Sequence, residues 1–156
     1  MKSSTIAKTF TIAAVAALTL CMAPAANADD KGCSTANLQG TFAYTSTGSI
    51  AAPPELAGPF VEVGTQTFDG KGATTATASS SQNGNISPLS VVGTYTVNAD
   101  CTGTMTLQVS FPGFPVFPVH VYFVIANGWT EFQAIETDPG LVITRLGRKL
   151  YPGRNI

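Results

Sequence analysis

Apolar and polar residues alternate with a period of two along most of this chain. The alternation is clearest from Met105 to Phe111, where it continues over seven positions without a break. This is the period of a β-strand with one buried face, whereas an amphipathic helix repeats every 3.6 residues. The pattern predicts eight strands, at residues 40–46, 60–68, 73–80, 91–97, 105–111, 119–126, 129–137 and 141–149.

Short segments rich in Gly, Asn, Asp and Pro separate these strands. They lie at residues 69–72, 83–84, 127–128 and 138–140, where the chain must reverse direction. Consecutive strands are therefore predicted to pair antiparallel. We predict an all-β, eight-stranded up-and-down barrel, because closure removes exposed edges, with a β-sandwich as the alternative. One helical turn is predicted near residues 34–38, capped by Ser34.

Two proline-rich stretches interrupt the pattern, at residues 50–59 and 111–118. Proline cannot donate a ladder hydrogen bond, so both are predicted to be loops rather than central strands. In the second, here named the Phe-Pro loop, Phe-Pro recurs every three residues and includes Phe114 and Phe117. Three roles stay open for this apolar loop: a lid over a barrel mouth, a ridge that binds a partner, or a plug in the domain's own core.

The N-terminus has the features of a secretory signal peptide. Lys2 and Lys8 precede an apolar stretch at residues 10–22, and Ala26-Asn27-Ala28 follows as a cleavage site of small residues. We therefore expect residues 1–28 to be the signal peptide, residues 29–156 to form a single β-barrel domain, and the protein to be secreted or periplasmic. The apolar stretch is shorter than the roughly 20 residues of a spanning helix, so no membrane span is expected.

Removal of the signal peptide would leave one pair of cysteines, Cys33 and Cys101. Because exported proteins meet an oxidising environment, this pair is predicted to form a disulfide that staples the segment before the first strand to the middle of the domain. Two cysteines and the single His120 cannot complete a four-ligand zinc site. Neither a metal nor a cofactor is expected.

Composition excludes several classes of function. Hydrophobic residues make up 44% and charged residues only 11%, which argues against disorder and coiled coils. The net charge of -1 and the lack of basic clusters argue against nucleic-acid binding. No nucleophile elbow or other catalytic motif is evident, so whether the protein is an enzyme, and its oligomeric state, stay open.

Three polar residues are predicted on inward faces of strands. Glu62 shares a face with Phe60 and, if that face is inward, is a carboxylate inside an apolar barrel that could act as a general acid or base or anchor a ligand hydroxyl. The alternative places Glu62 at a rim, with its carboxylate in water. Tyr44 and Tyr95 are also predicted inward, either clustered with Glu62 or as ordinary core residues.

Two other charged groups are predicted to point outward. Glu136 is expected to bridge to Arg145 or Arg148 on the next strand, a surface pair of little energetic worth. His120 lies opposite the apolar face of its strand and is predicted to be solvated rather than a catalytic base.

The passages at residues 93–104 and 135–140, together with Phe68-Asp69-Gly70-Lys71-Gly72, resemble those of a group of uncharacterised secreted bacterial proteins. The predicted architecture is similar to the calycin-like barrels of allene oxide cyclases and dirigent proteins. This resemblance implies at most an apolar cavity, since fold does not carry function across such barrels. The Phe-Pro loop departs from the short hairpin usual at that position.

Three functions follow as hypotheses. The first is a barrel that binds a small apolar ligand in its interior, with Tyr44, Glu62, Tyr95, Phe114 and Phe117 as ligand-binding residues. The second is a cofactor-free cyclase or isomerase that uses Glu62 and a tyrosine. The third is an interaction protein that makes contact through the Phe-Pro loop.

Overall fold

The computed structural model describes residues 32–151, and all eight predicted strands are present. Threonines and serines on the outer face alternate with buried apolar residues, a composition that suits strands with one face in water. In chain order the strands are β1 Gln39–Ile50, β2 Gly58–Asp69, β3 Ala73–Gln82, β4 Asn85–Val97, β5 Thr102–Ser110, β6 Phe117–Ala126, β7 Glu131–Glu136 and β8 Leu141–Lys149.

The eight strands close into one barrel. Each strand pairs antiparallel with the next, and β8 pairs with β1. Phe42 of β1 shows the closure, because it lies opposite Gln66 of β2 on one side and Lys149 of β8 on the other. The predicted antiparallel up-and-down barrel is confirmed, and the β-sandwich alternative is wrong.

The turns between the strands form where the sequence predicts them. Asn83 and Asn127 adopt left-handed φ values of 48° and 51° at two of the hairpins. At a third, the Asp69 carboxylate accepts hydrogen bonds from the backbone N–H groups of Lys71 at 2.7 Å and Ala73 at 2.9 Å. These bonds hold the pKa of Asp69 below its usual range.

The strand ends and the first helical turn differ from the prediction. The segment at residues 111–118 is not a loop throughout, because Phe117 and Pro118 belong to β6. The stretch at residues 50–59 contributes Ile50 to β1 and a single 3-10 turn at Pro54–Leu56, and β2 already begins at Gly58. A 3-10 turn also forms at Thr35–Asn37, but Ser34 does not cap its backbone. The Ser34 hydroxyl donates instead to the side chain of Asn37.

One half of the barrel interior is filled by aromatic side chains. Four buried rings, those of Phe42, Phe68, Tyr95 and Phe132, lie with their centroids between 5.0 and 5.6 Å apart in edge-on or tilted pairs. This spacing is that of favourable aromatic packing. We call this half, which contains the start of β1, the closed half.

Two glycines make room for buried phenylalanine rings. Gly147 lies opposite Phe132 in the β7–β8 pairing, and Gly103 lies opposite Phe123 in the β5–β6 pairing. A Cβ atom would lie 2.1 Å from the Phe132 ring at Gly147 and 2.3 Å from the Phe123 ring at Gly103. Both rings therefore occupy the space that a side chain would need.

The disulfide predicted between Cys33 and Cys101 is confirmed, with the two Cα atoms 4.8 Å apart. It lies at the closed half and ties the segment before β1 to the turn between β4 and β5. The backbone N–H of Cys33 also donates to the carbonyl of Ala99 at 3.0 Å. The Tyr95 hydroxyl donates to the Leu38 carbonyl at 2.7 Å, so this end of the barrel is covered by the N-terminal segment.

The predicted signal peptide at residues 1–28 lies outside the described residues. The helices found within residues 32–151 are single turns, and none has the length and apolar character needed to cross a membrane.

Candidate functional site

The other half of the barrel holds a cavity of about 690 Å³ that opens at the barrel end. Small-molecule sites typically enclose about 300–1,000 Å³, so this cavity is large enough for a ligand. Its apolar wall comes from inward-facing residues of five strands, Phe60, Leu89, Val91, Val109, Val119 and Ile143. Its mouth lies between the Phe-Pro loop, the segment at residues 50–56 and the turn at residues 138–141.

The Phe-Pro loop frames this mouth, and its two ends pack against the core. The rings of Phe111 and Phe117 are half-buried and stacked, with centroids 6.0 Å apart and planes at 11°. Phe114 lines the cavity while 49% of its surface stays exposed. The predicted plug is therefore present in part, because Phe111 and Phe117 pack against the core. Phe114 and Phe117 also lie where a cavity ligand could touch them.

Charged side chains form the floor of the cavity, at the boundary with the closed half. Arg145 of β8 is 6% exposed, and its Nη2 lies 4.0 Å from Glu62 Oε2 and 3.8 Å from Glu136 Oε1. Its other two nitrogens donate hydrogen bonds to buried polar side chains: Nε to Ser46 at 3.0 Å and Nη1 to Gln66 at 3.3 Å. One cation and two carboxylates thus share a nearly buried site that lines the cavity, here named the floor triad.

Tyr44 supports the floor triad from beneath. Its hydroxyl donates to Glu62 Oε1, and the Arg145 guanidinium carbon lies 4.6 Å from the centroid of its ring. Burial raises the pKa of Tyr44 far above its usual range, and the Glu62 carboxylate raises it further. Tyr44 is therefore a permanent hydrogen-bond donor to Glu62, and it orients that carboxylate without lining the cavity itself.

Glu136 is an acid of the floor triad whose pKa lies near neutrality. Burial raises its pKa to about 7, and the nearby carboxylates of Glu62 and Asp138 add to the rise, while Arg145 opposes it. A carboxyl group that titrates near neutral pH beside a fixed cation can accept or donate a proton or a hydrogen bond.

The structure brings together only two of the three polar residues predicted as a cluster. Tyr44 and Glu62 are in contact, and Glu62 is buried rather than at a solvated rim. Tyr95 is inward as predicted but belongs to the closed half, where its hydroxyl accepts from the Gly70 N–H at 2.9 Å. The predicted cluster is therefore wrong for Tyr95, which does not line the cavity.

The prediction for Glu136 and Arg145 is also corrected. They do form a pair, but the pair lies inside the barrel and not on its surface. Alternation could have placed Glu136 inward, because it shares a strand face with the buried Phe132 and Ala134. The outer pair is a different one, Arg148 with Glu131 at 3.2 Å.

His120 is exposed on the outer surface, as predicted. Its Nδ1 lies 2.7 Å from Asp138 Oδ1, and its backbone N–H donates to the same carboxylate. Burial opposes ionisation of Asp138, but the hydrogen bonds from His120 outweigh it and hold the pKa of Asp138 below its usual range. Within residues 32–151, no three His, Cys, Asp or Glu side chains come together as a metal site.

In comparisons with known proteins, no family model, curated protein or solved structure matches this chain.

Proposed function

We propose that this protein is an exported barrel that binds a small apolar ligand in its open half. The observation that carries the proposal is the contrast between the two halves of one barrel. The closed half is packed with aromatic rings, whereas the open half leaves about 690 Å³ unfilled behind an apolar wall. A protein that needed only a stable core would gain from filling this space, because interiors pack densely and voids are destabilising.

The disulfide supports the exported location. Disulfides persist in oxidising compartments and are rare where thiols are kept reduced. The Cys33–Cys101 bond, together with the signal-peptide pattern of residues 1–28, favours a secreted or periplasmic protein. The closed barrel also supports the proposed relationship to calycin-like barrels, but the ligand has to be argued from the cavity itself.

A pair of tryptophan variants on β4 tests the proposal. Val91 is buried and lines the cavity, whereas the adjacent Val92 points outward and is 60% exposed. We expect Val91→Trp to occupy part of the cavity and to weaken binding of the uncharged fluorescent probe N-phenyl-1-naphthylamine. Val92→Trp should bind the probe as the wild type does. Failure of the wild type to bind the probe, or equal binding by both variants, would contradict the proposal.

A cofactor-free isomerase or cyclase is the second candidate, favoured by the buried contact between Tyr44 and Glu62 beneath the cavity. A carboxylate held by a buried donor beside an apolar cavity wall can serve as a base for proton abstraction next to a carbonyl. Glu62→Gln keeps the shape of the side chain but cannot take up the proton. If the protein is an enzyme of this class, the variant should stay folded and lose turnover of any substrate that the wild type converts.

A further inference from the structure

Within residues 32–151, Arg145 does not use all of its hydrogen-bond donors. Nε and Nη1 each donate one bond, to Ser46 and Gln66, but Nη2 is 3.8 Å or more from both carboxylates. Those distances suit an ion pair and exceed the range of a hydrogen bond. In the described part of the chain, every fully buried side-chain nitrogen or oxygen has a hydrogen-bond partner. Nη2 is therefore reached from the cavity that Arg145 lines.

Glu136 is the matching acceptor. Its side chain is only 9% exposed and lines the cavity, and within residues 32–151 it has an ion pair with Arg145 but accepts no hydrogen bond. Glu62 differs, because the Tyr44 hydroxyl already donates to it. A free donor and a free acceptor thus face the cavity 3.8 Å apart.

The geometry points to a lipophilic alcohol as the ligand, an inference that rests on the proposed binding function. The hydroxyl accepts a hydrogen bond from Nη2 of Arg145 and donates one to Glu136, while the hydrocarbon portion lies against the apolar wall. A single oxygen about 2.8 Å from each of two atoms can bridge a 3.8 Å gap, and a hydroxyl is the smallest group that donates and accepts through one oxygen.

Charged head groups fit the floor triad poorly. A carboxylate would bring a third acid beside Glu62 and Glu136 with one cation between them, and it would offer Glu136 no donor. An ammonium would face the Arg145 guanidinium and leave Nη2 without an acceptor. A carboxylate would therefore bury an incompletely paired charge. An ammonium would balance the second acid, but it would leave the Nη2 donor unpaired beside a like charge, and an unpaired buried donor is also costly.

Three ligands of equal chain length test this inference: decanol, decanoate and decylamine. Each competes with N-phenyl-1-naphthylamine at pH 8, above the pKa of about 7 for Glu136. We expect decanol to displace the probe at a concentration roughly tenfold or more below the other two, as for a hydrogen bond to a charged group. Tighter or equal binding of decanoate or decylamine would overturn the alcohol assignment while leaving apolar binding intact. Absence of probe binding would overturn both proposals.

Glu136→Leu provides the matched variant. It removes the acceptor but leaves Arg145 paired with Glu62, and it should reduce decanol affinity roughly tenfold. A circular dichroism spectrum like that of the wild type shows that the barrel is folded, and the loss of decanol affinity is compared with any change in affinity for the uncharged probe in the same variant. Unchanged decanol affinity in this variant would overturn the role of Glu136 in binding the hydroxyl.

Discussion

The Nη2 atom of Arg145 lies 3.8 Å from Glu136 Oε1 inside the barrel. The two residues belong to adjacent strands, and the sequence pattern predicts them as a surface pair. This contact divides the interior. Aromatic packing lies on one side of it, and the cavity lies on the other. The stability, pH dependence and ligand binding expected of this protein follow from that division.

Replacement of Arg145 by Met should strongly destabilise the fold. The change leaves the carboxylates of Glu62 and Glu136 buried without their cation, and breaking a buried ion pair in this way typically costs about 3–5 kcal/mol. The control is Arg148→Met, because the Arg148 side chain is 73% exposed and its pair with Glu131 should contribute no more than about 1 kcal/mol. Urea unfolding measures both losses, and equal losses would contradict a buried role for Arg145.

Stability should fall between about pH 4.5 and pH 7 because of Glu136. Its pKa is about 7 in the folded chain against an ordinary value of 4.5, so the folded state binds the proton more tightly. Its contribution is fully present below pH 4.5 and is lost as the pH rises through 7, a change on the order of 3 kcal/mol. Glu136→Gln should lack this loss.

The measurement is the difference in unfolding free energy between wild type and Glu136→Gln at pH 4.5 and pH 8. The acids whose pKa is lowered, Asp69, Asp100 and Asp138, contribute stability that disappears below about pH 4. Their effect lies outside this window and is common to both proteins. A difference that does not change with pH would show that Glu136 is ionised normally.

Loss of the disulfide should weaken the fold without altering the cavity. The bond joins residues 68 positions apart, and a loop of this length corresponds to about 4 kcal/mol in the chain-entropy description. Because the bond lies at the closed half, the double variant Cys33→Ser with Cys101→Ser should bind the fluorescent probe with unchanged affinity once folded. Thermal unfolding and probe titration are the two measurements. A loss of probe affinity in the double variant would show that the closed half and the cavity are coupled.

The Phe-Pro loop should contribute to binding through Phe114. This ring lines the cavity and is about half exposed, so its removal should cost on the order of 1 kcal/mol, or about fivefold in probe affinity. Val116 lies in the same loop, is 58% exposed and does not line the cavity, so Val116→Ala is the control. Equal effects of Phe114→Ala and Val116→Ala would indicate that the loop contacts something other than the cavity ligand.

The sequence by itself determined the number of strands and their antiparallel order, and it favoured a closed barrel over a β-sandwich. Alternation and turn residues are local properties of the chain. They therefore indicate which residues form a strand and which of its side chains point inward, even when the neighbouring strands are unknown. The inward direction of Tyr44 follows in this way from its spacing to Phe42. For Glu62 the sequence left the barrel interior and a solvated rim open, and the structure buries it. The Cys33–Cys101 bond followed from the number and placement of the cysteines.

Only the tertiary structure decided the height at which each inward residue lies along the barrel axis. Tyr44 and Tyr95 both point inward, yet one supports the cavity floor and the other packs in the closed half. That height depends on the stagger between paired strands. The stagger is set by closure of the whole sheet, so the residue pattern of a single strand does not predict it. For the same reason Arg145, on a strand with mixed faces, became part of the floor triad only when β8 was placed between β7 and β1.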